Sequence, residues 1–316
     1  MAEKKIIAVV GATGAQGGGL VRAILNDKSG EFTARALTRN PDSDKAKELA
    51  KMGAEVVKAD LNNLESLKKA FAGAYGVYGV TNFWEHFSPE EEKAQAANIA
   101  AAAKEANVKH VIWSSLDDTR KWIPLSDNRM PTLQGKYKVP HFDAKGESNK
   151  YFIESGVPTT IYNTVFYWEN FIYFGQGPKK GPDGKISLSL PLADKKMPSI
   201  AVEDIGKCAY AIFKAGDKYI GKTVGIAGEH LSGKQFADGF SKAFGKEVTY
   251  NAISADTYRS FGFPGADDMG NMYQFKADFE KEYCESRSIE LAKTLNPSLQ
   301  TFSVWLEKNK NKIPLE

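Results

Sequence analysis

Apolar residues in the first half of the chain follow two alternating rhythms. Short β-branched runs end in glycine or polar turns. Each is followed by a longer stretch whose apolar positions recur every three to four residues. Strands are predicted over 6–10, 32–38, 54–58, 75–81, 108–113 and 158–164. Helices are predicted over 14–25, 43–52, 63–71, 88–106 and 141–155. Leu20, Ala23 and Ile24 share one face of the first helix, and Gly53 stops the second. Ser88-Pro89-Glu90-Glu91 is a strong helix start, with a hydroxyl cap, proline at the first helical position and acids facing the dipole. Strands and helices joined by short loops specify an α/β chain with a Rossmann-type doubly wound parallel sheet.

Beyond Tyr167 the pattern loosens. Residues 122–140 read as an irregular loop over the sheet, and 175–184 (GQGPKKGPDG) as a turn-rich loop. A helix is predicted over 199–214, a strand over 223–227, and from Ser232 mostly helix with one strand near 247–250. The expected division is a dinucleotide-binding domain over 1–165, to which some later segments return. A smaller, mainly helical substrate or partner region follows over 166–316.

Composition narrows the classes. The 316 residues carry 42 Lys+Arg against 39 Asp+Glu, a net charge of +3, which is no footprint for direct nucleic-acid binding. No apolar run approaches the ~18 residues of a membrane span. The apolar run after Lys4-Lys5 is too short for a signal peptide. The expectation is a protein of the cytoplasm, with the nucleus as a second location. Cys208 and Cys284 are expected to be reduced core thiols. His86, His110, His141 and His230 show no ligand spacing, so no metal is expected.

The segment Gly11-Ala12-Thr13-Gly14-Ala15-Gln16-Gly17 leaves the first strand and opens the first helix. In that position glycines have a mechanism. Gly11 permits the tight turn, Gly14 lets a pyrophosphate approach the backbone, and Gly17 lets helix and strand pack closely. The helix N-terminus offers N–H groups and its dipole to phosphate. After the second strand stand Leu37-Thr38-Arg39-Asn40-Pro41, with no acid until Asp42. A carboxylate there would hold the ribose hydroxyls of NAD, whereas Arg39, aided by Lys45, suits a 2′-phosphate. NADP(H) is therefore favoured over NAD(H). Asp60-Leu61 ends the third strand on the adenine side, and Thr81-Asn82-Phe83 ends the fourth beside the nicotinamide half.

These residues carry a resemblance. VGATGAQGG (10–18), LTRNP (37–41), GAEVVKADL (53–61), VTNFWE (80–85), HFDAKGE (141–147) and YWENF (167–171) resemble the NmrA-like family, an atypical branch of the short-chain dehydrogenase/reductase superfamily. Further matches run into the C-terminal half, and the likeness is strongest to NADPH-sensing members. The resemblance implies Gly11, Thr13, Gly14, Ala15, Gln16 and Gly17 at the pyrophosphate, and Arg39, Asn40 and Lys45 at the 2′-phosphate. It implies Asp60 and Leu61 at adenine and Thr81, Asn82 and Phe83 at the linker to nicotinamide. Lys145 would meet the nicotinamide ribose, with Thr164 through Tyr167 closing the pocket. The family commonly has proline after the sixth strand, where this chain has Val165.

Short-chain reductases use a Tyr-x-x-x-Lys pair on one helix face, the lysine lowering the tyrosine pKa and the tyrosine passing a proton to the carbonyl. This chain has His141-x-x-x-Lys145. His141, Lys145 and Ser114 are the candidate catalytic residues, Ser114 standing where the superfamily places a substrate-orienting serine. Two readings remain open. One is an NADP(H)-responsive regulatory protein with a protein partner. The other is an NAD(P)H-dependent reductase of quinones, imines or similar small-molecule acceptors. The aromatic stretch 166–174 is a candidate partner surface or a packed core element.

Overall fold

The computed structural model describes residues 3–28 and 30–315. In chain order the strands and helices begin with β1 (Lys5–Val9), α1 (Ala15–Asn26), β2 (Phe32–Thr38), α2 (Asp44–Met52), β3 (Glu55–Lys58), α3 (Leu64–Phe71), β4 (Gly76–Gly79), α4 (Pro89–Glu105), β5 (His110–Ser115), α5 (Pro140–Ser155) and β6 (Thr159–Asn163). There follow β7 (Phe166–Tyr167), α6 (Asn170–Tyr173), β8 (Lys179–Lys180), β9 (Ile186–Ser189), β10 (Lys196–Ile200), α7 (Val202–Lys214), β11 (Thr223–Gly225) and β12 (Glu229–Ser232). The chain ends through α8 (Gly233–Phe244), β13 (Val248–Asn251), α9 (Ala255–Arg259), α10 (Ala266–Asp278), α11 (Glu280–Glu285), α12 (Ile289–Leu295) and α13 (Phe302–Asn309).

Two compact units result. The first takes in 1–118, 141–164 and 203–224, and the second 119–140, 165–202 and 225–316. The first is built on a seven-stranded sheet of order β11-β6-β5-β4-β1-β2-β3. The pairs among β1 to β6 are parallel, with Ile7 opposite Ala34 and Val77 opposite Val111. This is the doubly wound α/β sheet expected from the alternation of strand and helix. Val77, Val111 and Trp113 pack with Leu67 and Phe71 of α3 and with Ile99 and Ala103 of α4. Side-chain caps fix where helices start. Ser43 accepts from the Ala46 N–H, Asn63 from Ser66 and Ser88 from Glu91.

The second unit holds two three-stranded sheets, β12-β10-β7 and β13-β9-β8. Trp168, Phe171, Phe236, Phe240, Phe302 and Trp305 form its aromatic core, with ring centroids 5.1–6.0 Å apart. Within 166–174, Phe166, Trp168 and Phe171 belong to the core, whereas Tyr173 and Phe174 are exposed. Lys276 is also buried here, beside the sulfurs of Met272 and Met197, and burial together with Arg287 pushes its ammonium down to about 7.

Several expected boundaries move. β5 starts at His110 and runs to Ser115, so both serines lie inside the strand. Ser199 and Ile200 finish β10 instead of starting a helix. That strand contains Pro198 and is followed at once by helix-opening acids, so its period was masked. β12 reads Glu-His-Leu-Ser and is half-exposed, leaving no alternating apolar signal. The irregular 119–140 segment belongs to the second unit, where Asn271 Nδ2 donates to the Lys138 and Pro131 carbonyls at 2.6 and 2.9 Å. Cys208 is buried, but Cys284 is only half-buried and is no core thiol.

Candidate functional site

The glycine loop leaves β1 as the sequence predicts. Gly11 has φ +62°, a left-handed turn that favours glycine. A Cβ on Gly17 would overlap the Gly11 carbonyl, so α1 can start this close to β1 only with glycine there. Gly14 is the N-cap of α1, and no side chain caps it. Thr13, Gly14 and Ala15 are not buried, so the helix start is open to a ligand.

The end of β2 and the start of α3 border a cleft of 590 Å³ whose lining includes Arg39, Ala59, Asp60, Asn63, Ser66 and Lys69. Arg39 and Asp60 are thus brought to one cleft. The Asp60 carboxylate accepts from the Asn62 N–H at 2.9 Å, shaping the turn. Asn40 does the same for Asp42 at 3.1 Å. Leu61 packs against the hydrophobic core, and Lys45 is exposed on α2 and is not part of the cleft lining. Arg39 is ion-paired: Nη1 lies 2.9 Å from Glu85 Oε2, and Nη2 donates to Glu85 Oε1 at 3.0 Å.

Glu85 ends a short 3-10 turn, Phe83–Glu85, that follows β4. The same turn is anchored at its other end by a buried network. Lys145 Nζ lies 2.6 Å from Glu92 Oε1 and donates to Thr81 Oγ1 at 2.7 Å and to the Thr81 carbonyl at 3.0 Å. Three acceptors match the three donors of the ammonium. Thr81 Oγ1 also donates to Glu92. Glu92 is fully buried. Burial pushes its carboxyl up, but the Lys145 charge and the hydrogen bonds from His86, Lys145 and Thr81 outweigh that and hold it at about 2. His86 Nδ1 accepts from the Ser88 N–H at 3.1 Å, which leaves the Nε2 hydrogen for Glu92 Oε2, 3.5 Å away. The hydrogen bond with Glu92 raises the His86 pKa against the effect of burial.

His141 stands one turn before Lys145 on α5 and is 6% exposed. Its ring packs against Trp84, Phe142 and Phe83, with centroids 4.8, 4.7 and 5.9 Å away. Ser114 donates to Gln16 Oε1 at 2.8 Å, and Tyr78 donates to the same oxygen, so the glycine loop and the end of β5 are joined. Ser115 is turned the other way, donating to Asn149 Oδ1 at 2.7 Å. Thr164 is buried just after β6. Tyr167 lies in the second unit.

Glu92, His86 and Glu85 were not read as functional in the sequence. Glu92 did carry a signal. It falls on the buried stripe of α4 with Gln95, Ala96, Ile99 and Ala103, and an acid on such a stripe needs a partner. Among the described residues, no group of three or more His, Cys, Asp or Glu could hold a metal ion, and no helix is long and apolar enough to cross a membrane.

Known proteins resemble the chain along most of its length. An NmrA-like family domain-containing protein of Dictyostelium discoideum is 33% identical over 261 residues, covering 81% of this chain and 82% of the relative. An NmrA-like family domain-containing oxidoreductase of Aspergillus campestris is 29% identical over 293 residues, covering 87% and 83%. The crystal structure of Nmra, a negative transcriptional regulator, in complex with NADP superposes with a TM-score of 0.79 at 24% identity, covering 97% of this chain and 95% of that one. That likeness is one of fold. The model of the NmrA-like family matches residues 3–306, and the chain belongs to the NmrA-like family.

Proposed function

We propose that the first unit binds NADP(H) in preference to NAD(H), and that the protein is an NADP(H)-responsive regulator without the standard reductase tyrosine. The observation that carries this reading is the state of the α5 pair. His141 occupies the tyrosine position and is packed among Phe83, Trp84 and Phe142. Lys145 spends its three donors on Glu92 and Thr81. A carbonyl reduced by hydride needs a proton donor within about 2.6–3.2 Å, and the ordinary donor is missing.

The residues present fit the cofactor. Gly11, Thr13, Gly14, Ala15, Gln16 and Gly17 form an open helix start of the kind that takes a pyrophosphate. Arg39 and Asn40 would receive the 2′-phosphate, Lys45 adding charge nearby. Asp60 would face adenine from the cleft that Arg39 also lines, with Leu61, packed on the core, next to it in the chain. Asn82 and Phe83 would meet the linker to nicotinamide, with Lys145, Thr81 and Thr164 toward the nicotinamide ribose. The bound nicotinamide would supply a hydride. This chain's residues would bind and orient it, and a regulatory output requires that two states of the protein differ in affinity for it. The occurrence of NADP and of NAD in structures of the same fold supports a nicotinamide dinucleotide as the ligand.

Calorimetry with NADP⁺ and NAD⁺ tests the binding claim. NADP⁺ is expected to bind at least about tenfold tighter, a difference of ~1.4 kcal/mol, and Arg39→Ala is expected to remove most of it. Equal affinities in the parent protein would overturn it. A second reading, an NAD(P)H-dependent reductase of quinones, imines or similar acceptors, is favoured by the oxidoreductase name of the Aspergillus relative. NADPH absorbance decay against a quinone, imine and aldehyde panel separates the two. Robust turnover that falls about 10²–10⁴-fold in His141→Ala would establish the reductase with His141 as proton donor.

A further inference from the structure

We infer that Glu85 is a built-in competitor for the 2′-phosphate at Arg39, and so a residue that sets how strongly the protein distinguishes NADP(H) from NAD(H). This rests on the cofactor site proposed above. Arg39 follows β2, and Glu85 ends the turn after β4. In the sheet β1 lies between those two strands, so the ion pair crosses the end of β1 from which the glycine loop leaves. Its geometry is two-pronged, one guanidinium nitrogen on each carboxylate oxygen, at 2.9 and 3.0 Å. A phosphate would engage the same fork through the same donors.

Glu85 does not approach Arg39 as a loose side chain. Asn82 Nδ2 donates to Glu85 Oε1 at 3.2 Å, aiming the carboxylate. Both partners keep contact with solvent, at 67% exposure for Arg39 and 45% for Glu85. An exchange of anions at Arg39 therefore needs no buried charge to be stranded. When a 2′-phosphate takes the guanidinium, Glu85 keeps its Asn82 hydrogen bond and gains water. NAD(H) brings no second anion, and Arg39 and Glu85 stay paired. The protein thus gives up part of its affinity for NADP(H) to hold Arg39 when no 2′-phosphate is present.

The test is a four-way comparison by calorimetry of the parent, Glu85→Gln, Arg39→Ala and the double variant, each titrated with NADP⁺ and NAD⁺. Glutamine preserves the size of the side chain and an acceptor for Asn82, so the turn is retained. Glu85→Gln is expected to bind NADP⁺ about two- to fivefold tighter, the size of an exposed ion pair, and NAD⁺ as the parent does. In the Arg39→Ala background the same substitution is expected to change nothing. Unchanged NADP⁺ affinity in Glu85→Gln would overturn the proposal. So would equal tightening toward both nucleotides, since Glu85 would then hinder the whole dinucleotide. Tightening that survives in the Arg39→Ala background would reduce the effect to plain repulsion between Glu85 and the phosphate, and would also overturn it. Failure of the site reading shows elsewhere: the parent would not prefer NADP⁺, or Arg39→Ala would leave that preference intact, and competition for Arg39 would fall with it.

Discussion

Two glutamate–cation pairs flank the candidate site, and they are opposites in environment. Lys145–Glu92 is sealed, with side-chain exposures of 11% and 0%. Arg39–Glu85 lies in solvent, with 67% and 45%. Both anchor the short segment after β4, one at Thr81 and the other at Glu85. The buried pair costs several kcal/mol of desolvation per ion and stands because all three Lys145 donors are matched by Glu92 and Thr81. The exposed pair is worth about 0–1 kcal/mol and opens readily. The first is suited to fixing a site and the second to exchanging one anion for another.

The sharpest way to break this contrast is to remove each acid in turn and measure folding. Glu92→Gln leaves a buried ammonium without its counter-charge, and is expected to cost about 3–5 kcal/mol in denaturant unfolding. Glu85→Gln is expected to cost no more than about 1 kcal/mol. Comparable losses in the two variants would show that burial does not separate the pairs.

Acid titration sharpens the same comparison with a smaller effect. The Glu92 carboxyl is held at about 2, below its ordinary 4.5. A lowered folded pKa means stability that is present above 4.5 and is lost as pH falls from there toward 2. His86 is shifted the other way, chiefly by its hydrogen bond with Glu92. Its contribution is present below about 6.5 and is lost as pH rises through the higher folded value. Both arms should flatten in Glu92→Gln, measured as unfolding free energy against pH. A parent-like profile in that variant would exclude Glu92 as the source.

How much of this was legible in the sequence differs along the chain for physical reasons. The first unit is written in local signals. Ser43, Asn63 and Ser88 cap helices, Gly53 ends one at φ 107°, and β-branched runs mark the strands. The doubly wound parallel sheet followed from that alternation. Within the second unit, strands β10 and β12 contain proline or mostly polar residues and take their conformation from pairing with each other, which no local pattern announces. The site divides in the same way. Gly11 and Gly17 are legible because the local geometry demands glycine, through a left-handed φ at Gly11 and the close pass of its carbonyl at Gly17. Glu85 is not, and Glu92 shows only as an acid on a buried stripe with its partner unnamed, because each matters through a cation far away in sequence: Arg39 is 46 residues from Glu85, and Lys145 lies on a different helix from Glu92. Charges that meet through tertiary structure leave no spacing to read.

Salt gives the smallest expected effect and the finest discrimination between the two pairs. Screening acts over a Debye length of ~10 Å at 0.1 M and ~3 Å at 1 M, and acts far more on charges in solvent than on buried ones. Raising ionic strength from 0.1 to 1 M should therefore shrink the effect of Glu85→Gln on NADP⁺ affinity toward nothing. Arg39 no longer gains much from Glu85, so removing the acid frees little. The same change should leave the unfolding cost of Glu92→Gln nearly constant, because water and ions do not reach Glu92. The measurement is a pair of titrations and a pair of denaturant curves at the two salt concentrations. If the Glu92→Gln cost collapses with salt as the Glu85→Gln effect does, the Lys145 network is open to solvent in solution. It could then no longer be the fixed end of the segment after β4, and the division of labour between the two pairs would have to be abandoned.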